Sequence, residues 1–190
     1  ALKEAGVVVE PAISLGIGMP AIDTVPKEEL ALSMSNAILR GDDRQWGYGG
    51  GGPIREALAE HFTRVRGVPV TSQHFLSDGG SSGAIGSIAR AFLSPGDALI
   101  SERPGYIGSM SAFTAQPGIR YLGVDLDTDG LNMAQLAEVV AKLKGQGVTT
   151  KMLYIQSLYH NPRGTGYTVA RMKELLAFCA EHSILILNDE

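Results

Sequence analysis

The stretch that decides the fold is residues 150–190, TKMLYIQSLYHNPRGTGYTVARMKELLAFCAEHSILILNDE. It begins and ends with short apolar runs, near 150–156 and 183–188, and the residues between them, near 168–182, have helical spacing. Met172, Leu175, Leu176 and Cys179 fall on one side of that predicted helix, which we expect to face the core. An alternation of short apolar runs with helical patterns is typical of a largely parallel sheet covered by helices.

The same alternation extends towards the N-terminus. Further strands are predicted near 74–78, 98–101 and 119–124, and further helices near 82–93, 106–116 and 131–144. Residues 1–26 have no helical period and are expected to form an extended N-terminal arm. Pro26 opens a predicted helix that runs to about Arg40, and Pro53 opens a second one. We therefore predict an α/β protein, an α-β-α sandwich with a mostly parallel sheet and no domain boundary within 27–190.

Composition excludes several classes of function. The net charge is −4 and no cluster of Lys or Arg occurs, which argues against nucleic-acid or anionic-membrane partners. Cys179 is the only cysteine, so no disulfide framework is possible and a reducing cytoplasmic location is expected. No apolar run is long enough for a membrane span. His61, His74, His160 and His182 have no metal-ligand spacing, and no metal site is predicted.

Unusual residues follow four of the predicted strands, at the edge where ligands bind in such sheets. After the first comes Asp78-Gly79-Gly80-Ser81-Ser82, which runs into a helix and could cradle a phosphate or simply cap the helix. After the second comes Tyr106, behind a Pro-Gly turn, where an aromatic ring could stack on a planar ligand or cover the core. Asn161, before Pro162, follows the fourth and could donate a hydrogen bond or form a plain turn. Asp189 follows the fifth, where a cationic partner or a helix N-terminus would suit its carboxylate.

In this order the four motifs resemble the signature of fold-type-I pyridoxal-phosphate (PLP) enzymes, the class I and II aminotransferases. Three further segments resemble parts of that family: residues 13–20 (ISLGIGMP), 54–59 (IREALA) and 93–97 (LSPGD). Within the family, the sequence most resembles the 2-aminoadipate aminotransferase-like subgroup. The resemblance implies an enzyme that moves an amino group between an amino acid and a 2-oxo acid. It also implies that residues 1–26 lie on the small-domain side and that 27–190 are the first part of the PLP-binding large domain.

The resemblance assigns a role to each motif. Gly80, Ser81 and Ser82 would hold the cofactor phosphate, Tyr106 would stack on the pyridine ring, Asn161 would hydrogen-bond the phenolic oxygen and Asp189 would pair with the ring nitrogen. Gly18 would lie near the substrate carboxylate, and Tyr48 would reach the phosphate of a neighbouring subunit in a homodimer. The Schiff-base lysine of the family would lie beyond Glu190, so no catalytic residue is assigned within the chain. Because the chain begins at Ala1 and stops just after an apolar run, we expect a C-terminally truncated fragment that does not transaminate by itself.

Three alternatives stay open. Residues 79–86 resemble the glycine-rich loop of short-chain dehydrogenases, but Tyr167 is followed four residues later by Arg171 rather than by the lysine of that family. A second alternative is a non-catalytic PLP- or effector-binding module of a transcriptional regulator. The third is a PLP-dependent lyase or synthase of the same fold, because the same cofactor contacts serve several reactions.

Overall fold

The computed structural model describes residues 21–41, 46–48 and 51–190. The chain divides into two compact units, Ala1–Ile54 and Arg55–Glu190, which are described separately. In the first unit a short 3₁₀ turn, Ile22–Thr24, precedes helix α1, Lys27–Arg40. Its two acidic residues in the first turn and Arg40 in the last complement the helix dipole. The apolar residues that predicted this helix, Leu30, Met34 and Ile38, are all exposed.

The second unit contains the sheet and most of helix α2, Gly52–Arg66. It continues with α3 (Gly80–Phe92), β1 (Ala98–Arg103), α4 (Ile107–Thr114), β2 (Arg120–Asp125), α5 (Met133–Gly145), β3 (Thr150–Ile155), α6 (Val169–Glu181) and β4 (Leu185–Asn188). The four strands are parallel and their order across the sheet is β2-β1-β3-β4. The predicted α/β fold with a parallel sheet is confirmed.

Alternating side chains of the strands enter two separate cores, one on each face of the sheet. Ala98 and Ile100 of β1 pack with residues of α5 and α6, including Leu136 and Leu175. Leu99, between them, packs on the opposite face with residues of α3 and α4, including Ile85, Ala89 and Phe113. Strands that are apolar on both faces must be covered on both faces. The predicted three-layer sandwich follows from this pattern.

Side-chain caps begin two of the helices. The Asn132 side chain accepts a hydrogen bond from the Gln135 N–H at the start of α5, and Thr168 accepts one from the Arg171 N–H at the start of α6. In α6, Leu175 and Cys179 are buried as expected, but Leu176 is 52% exposed, so its predicted core position is wrong. Leu176 is rotated by about 100° from Leu175 around the helix, which turns it away from the sheet.

The predicted strand near 74–78 is wrong. Ser72–His74 form a 3₁₀ turn, and residues 75–78 pair with none of the described strands. The Thr71 N–H donates to His74 Nδ1 at 3.1 Å, while the His74 N–H donates to the Thr71 carbonyl at 3.0 Å. These local bonds satisfy the N–H groups of Thr71 and His74. Residues 75–78 form no ladder because they pair with none of the described strands.

Candidate functional site

The carboxyl ends of β1, β3 and β4 lie side by side because these strands are parallel neighbours. Ligands of open α/β sheets bind beyond this edge. Asn161 follows β3 and Asp189 follows β4, and both were predicted as contact residues from the sequence. The two segments are joined by hydrogen bonds of Ser157 with Asn188 and Glu190.

Asp189 follows β4 directly and is half-buried. Its N–H donates to the Ile155 carbonyl at 2.9 Å, which continues the pairing with β3. The Tyr154 hydroxyl donates to Asp189 Oδ2 at 2.7 Å. Burial raises the pKa of Tyr154, so this phenol stays protonated and acts as a donor. The carboxylate therefore has a fixed neutral partner on its sheet side.

A pocket of about 330 Å³ opens beside Asp189. Its lining consists of Arg66, Gln156, Leu158, Tyr159, Asp189 and Glu190. Glu190 accepts hydrogen bonds from Arg66 at 2.9 Å and from Asn188 Nδ2 at 2.7 Å. Of the predicted contact residues that the structure describes, Asp189 is the one that lines this pocket.

The Asn161 loop, defined here as residues 156–167, connects β3 to the start of α6. The Asn161 N–H donates to Gln156 Oε1 at 3.0 Å, and its side chain is exposed. Within the loop, the Gly164 N–H donates to the His160 carbonyl and the Tyr167 N–H to the Ser157 carbonyl. The predicted residue thus stands on a tight loop next to Gln156, a pocket-lining residue.

Tyr106 is the N-cap residue of α4 and is half-buried. The Ser109 hydroxyl donates to its carbonyl at 2.8 Å. Its ring lies against Gly108: a Cβ atom on that glycine would come within 2.5 Å of the phenol ring. Only glycine at position 108 leaves room for this ring.

The glycine–serine turn, defined as Gly80, Ser81 and Ser82, forms the first turn of α3 and is exposed. Gly80 has φ +77°, a conformation that favours glycine. No side-chain cap occupies the start of the helix, and a Cβ atom on Gly79 or Gly80 would meet nothing within 4 Å. Asp78 stands next to the turn. Hydrogen bonds from the Ser87 hydroxyl and the Gly79 N–H lower the pKa of its carboxyl group, which therefore carries a negative charge.

Two further residues were predicted from the sequence, Tyr48 and Gly18. Tyr48 belongs to the first unit and its side chain is fully exposed. Gly18 lies outside the described residues.

Sequence reasoning missed a buried polar cluster at the end of β1, which we call the Glu102 cluster: Glu102, His160 and Tyr167. Glu102 is 2% exposed, and Gln156 donates its N–H to both carboxylate oxygens, at 3.1 and 3.0 Å. The Tyr167 hydroxyl donates to Glu102 Oε1 at 2.8 Å. His160 Nε2 lies 3.2 Å from Oε2. Desolvation raises the pKa of Glu102 to about 7. An acidic residue at the end of the buried run of β1 was a signal for a polar group there, but the sequence did not indicate its partners.

The described part of the chain contains neither a membrane-spanning helix nor a metal-binding cluster. No helix there combines the length and apolar character needed to cross a membrane. No group of three or more His, Cys, Asp or Glu side chains there could hold a metal ion.

The model of the family "Aminotransferase class I and II" matches residues 12–190. Among curated relatives, aromatic-amino-acid aminotransferase 1 of Thermococcus litoralis is 29% identical over 93% of this chain and 43% of its own length. The crystal structure of an archaeal alanine:glyoxylate aminotransferase superimposes with a TM-score of 0.84 at 29% identity, covering 99% of this chain and 46% of that one.

A structure of LysN, the alpha-aminoadipate aminotransferase of Thermus thermophilus, in complex with N-(5'-phosphopyridoxyl)-L-leucine, has a TM-score of 0.78 at 27% identity. It covers 91% of this chain and 42% of its own. HTH-type transcriptional regulators of Bacillus subtilis and Staphylococcus aureus also match, at 28% and 23% identity over 73% and 94% of this chain. The chain spans less than half the length of the relatives described here.

Proposed function

We propose, since the chain belongs to the class I and II aminotransferase family, that its protein is a PLP-dependent aminotransferase. The reaction is the transfer of an amino group between an amino acid and a 2-oxo acid. The observation that carries this proposal is the half-buried Asp189 carboxylate, which is held by Tyr154 beside a pocket at the carboxyl edge of the sheet. A carboxylate in this position suits a ligand that presents a protonated ring nitrogen.

The residues around this edge fit the cofactor. The glycine–serine turn has two hydroxyls and begins a helix that no side chain caps. The space in front of Gly79 and Gly80 is open, which suits a phosphate group. Asp78 is the one feature that opposes an anion there, and its charge is partly offset by the donors it already binds. We infer that Gly80, Ser81 and Ser82 hold the phosphate, Tyr106 stacks on the ring and Asn161 donates to the phenolic oxygen.

When bound, PLP supplies an electron sink for the substrate α-carbon. The chain's own contribution is to hold the ring and keep it charged. Asp189 hydrogen-bonds the protonated ring nitrogen, and Tyr154 fixes the orientation of that carboxylate. A hydrogen bond to a charged group contributes about 1.5–3 kcal/mol, so Asp189 should affect cofactor affinity by about ten- to a hundredfold.

The wider architecture is part of the same proposal. Residues 27–190 would form the first part of the cofactor-binding large domain, and 1–26 would lie on the small-domain side. Tyr48 would contact the phosphate held by a partner subunit in a homodimer, and Gly18 would lie near the substrate carboxylate. The protein would act in the cytoplasm on an amino acid and a 2-oxo acid.

The test is cofactor binding and half-reactions with the full natural protein. PLP should bind and give a visible absorbance band, and adding amino acids one at a time should convert that band and release the matching 2-oxo acid. Asp189→Asn should weaken PLP binding by at least about tenfold. Asp129→Asn makes the same chemical change on the exposed loop between β2 and α5 and should bind PLP like the wild type.

Each alternative predicts its own result. A binding module of a regulator would bind PLP but leave the amino group of every amino acid in place. A lyase or synthase would consume the amino acid without forming its 2-oxo acid. Failure of wild-type protein to bind PLP at all would refute the proposal.

A further inference from the structure

Glu102 is a buried carboxyl group that faces three groups able to donate a hydrogen bond to it. It accepts from the Gln156 N–H and the Tyr167 hydroxyl, and it faces His160 Nε2. Its side chain is fully buried and that of His160 is 1% exposed. Burying a carboxylate is costly unless several donors compensate for lost water. Three donors face the carboxylate, but desolvation outweighs them and raises the pKa of Glu102 to about 7.

The hydrogen bonds of His160 determine which ring nitrogen carries the proton. The Arg163 N–H donates to Nδ1 at 3.3 Å, so Nδ1 is an acceptor. Burial lowers the pKa of His160 and keeps the ring neutral, so its proton lies on Nε2, the nitrogen facing Glu102. Nε2 lies 3.2 Å from Glu102 Oε2 but has no aligned hydrogen-bond partner among the described residues.

These contacts support both ends of the turn that carries Asn161. Gln156, whose N–H is bound by Glu102, accepts the Asn161 N–H through its own side-chain oxygen. His160 precedes Asn161 directly, and its Nδ1 accepts the N–H of Arg163 on the far side of the turn. Tyr167, at the loop's end, is held by Glu102 and packs its ring against Gly130, where a Cβ atom would come within 2.5 Å.

We propose that Glu102 is a positioning residue for Asn161, acting through the Gln156 N–H, the His160 ring and the Tyr167 hydroxyl to fix the Asn161 loop. Only the step from Asn161 to a cofactor rests on the proposed function. The order of the loop itself belongs to this chain and can be measured separately.

This arrangement accommodates a protonated Glu102. A proton on Oε1 can be donated to the Tyr167 hydroxyl oxygen, since a phenol hydroxyl accepts as well as donates, while Oε2 still faces His160 Nε2. The other titratable groups facing Glu102 stay neutral near pH 7. Burial raises the pKa values of Tyr121 on β2, Tyr154 on β3 and Tyr167, and His160, with Arg163 as its nearest cation, stays deprotonated. Because the pKa of Glu102 is raised where the ordered loop buries it, loop order should fall as the carboxyl group loses its proton above pH 7.

The experiment uses the full natural protein and its Glu102→Gln variant. Hydrogen–deuterium exchange of residues 156–167 should accelerate about tenfold in Glu102→Gln, because the amide presents donors to donors. PLP affinity should fall by a similar factor, and the fall of affinity between pH 6 and 8 expected for the wild type should disappear in the variant. Glu138→Gln, an exposed carboxylate on α5, is the matched control and should behave as wild type.

A second variant keeps the idea testable where Glu102→Gln does not fold. Tyr167→Phe keeps the packing against Gly130 but removes one donor to the carboxylate, so the pH midpoint of PLP affinity should move upwards. Wild-type loop exchange and an unchanged pH profile in the folded variants would overturn the proposal. Absence of PLP binding in the wild type would instead refute the proposed function, while the exchange measurement would still decide the role of Glu102.

Discussion

Tyr154 and Asp189 are joined by a 2.7 Å hydrogen bond that links β3 to the residue following β4. The Tyr154 ring packs edge-on against Phe113 in the core between the sheet and α3 and α4, with ring centres 5.4 Å apart. The buried Tyr154 ring thus places its hydroxyl at the carboxyl edge of the sheet. The orientation of the Asp189 carboxylate is therefore tied to the packing of the core.

Tyr154→Phe should separate these two functions. The ring remains to fill the core, but Asp189 loses its donor, so PLP affinity should fall about three- to tenfold with little change in the overall fold. Tyr121→Phe is the matched control, because the Tyr121 hydroxyl bonds Ser101 rather than a proposed cofactor contact. Equal PLP affinities for the two variants, measured by absorbance titration, would contradict the assigned role of Tyr154.

Gly108→Ala should displace the Tyr106 ring. The new methyl group would overlap the phenol, and over-packing of this kind costs about 1–3 kcal/mol where neighbours cannot move. Because Tyr106 is only half-buried, we expect the ring to swing away, leaving the free energy of unfolding nearly unchanged while PLP affinity drops. Gly145→Ala, at the open end of α5, is the control and should alter neither quantity appreciably. Unchanged PLP affinity in Gly108→Ala would show that the ring position is unimportant.

Asp78→Asn should strengthen phosphate binding. Removing a negative charge beside the glycine–serine turn favours an anion there, and we expect about a two- to fivefold gain in affinity for inorganic phosphate or PLP at low salt. The variant should also be less stable at neutral pH. The lowered pKa of Asp78 means that its ionised form stabilises the fold above pH 4, and that this contribution is lost as pH falls. Isothermal titration and chemical denaturation measure the two effects, and weaker phosphate binding would place the anion elsewhere.

Glu102 should make stability fall as pH rises. The pKa of Glu102 is about 7 in the folded protein and 4.5 in the unfolded chain. Its favourable contribution to the free energy of unfolding is therefore complete below pH 4.5 and is lost as pH rises through 7. The difference corresponds to about 3 kcal/mol at most. His160 acts in the opposite direction, since its lowered pKa costs stability as pH falls below 6.5. The difference in unfolding free energy between wild type and Glu102→Gln isolates the carboxylate and should decline between pH 5 and 8. A constant difference would refute the pKa assignment.

The sequence predicted elements whose signal is local. β1, β2, β3 and β4 and the helices between them lie close to the predicted ranges, because apolar strands on a doubly covered sheet and amphipathic helices each have a clear period. Residues 75–78 were predicted as a strand from their apolar residues, but no described strand pairs with them. Whether a segment pairs depends on the strands beside it, which the local sequence does not show. Leu176 is apolar and helical, yet whether it faces the core depends on how α6 is rotated against the sheet.

The candidate site divides in the same way. The positions of Asp189 and Asn161 after strand ends could be predicted because each follows an apolar run, while their contacts with a cofactor stay predictions. The Glu102 cluster could not, since Glu102 lies 58 residues before His160 in the sequence and the two meet only where β1 and β3 pair. His160 was noted in the sequence only for its lack of metal-ligand spacing, and the hydrogen bond that it accepts from the Arg163 N–H is visible only in the folded loop.

The alternation of β1 between two cores has a consequence for how the gene can vary. Leu99 faces one side of the sheet and Ile100 faces the other. Glu102, two residues after Ile100, lies on the same side as Ile100. Inserting or deleting a single codon inside β1 would exchange the faces and move the carboxylate out of its donor-lined site. In a deep mutational scan, β1 should tolerate conservative substitutions at many positions but no one-residue insertion or deletion, whereas the exposed residues 146–147, before the buried Val148, should accept both.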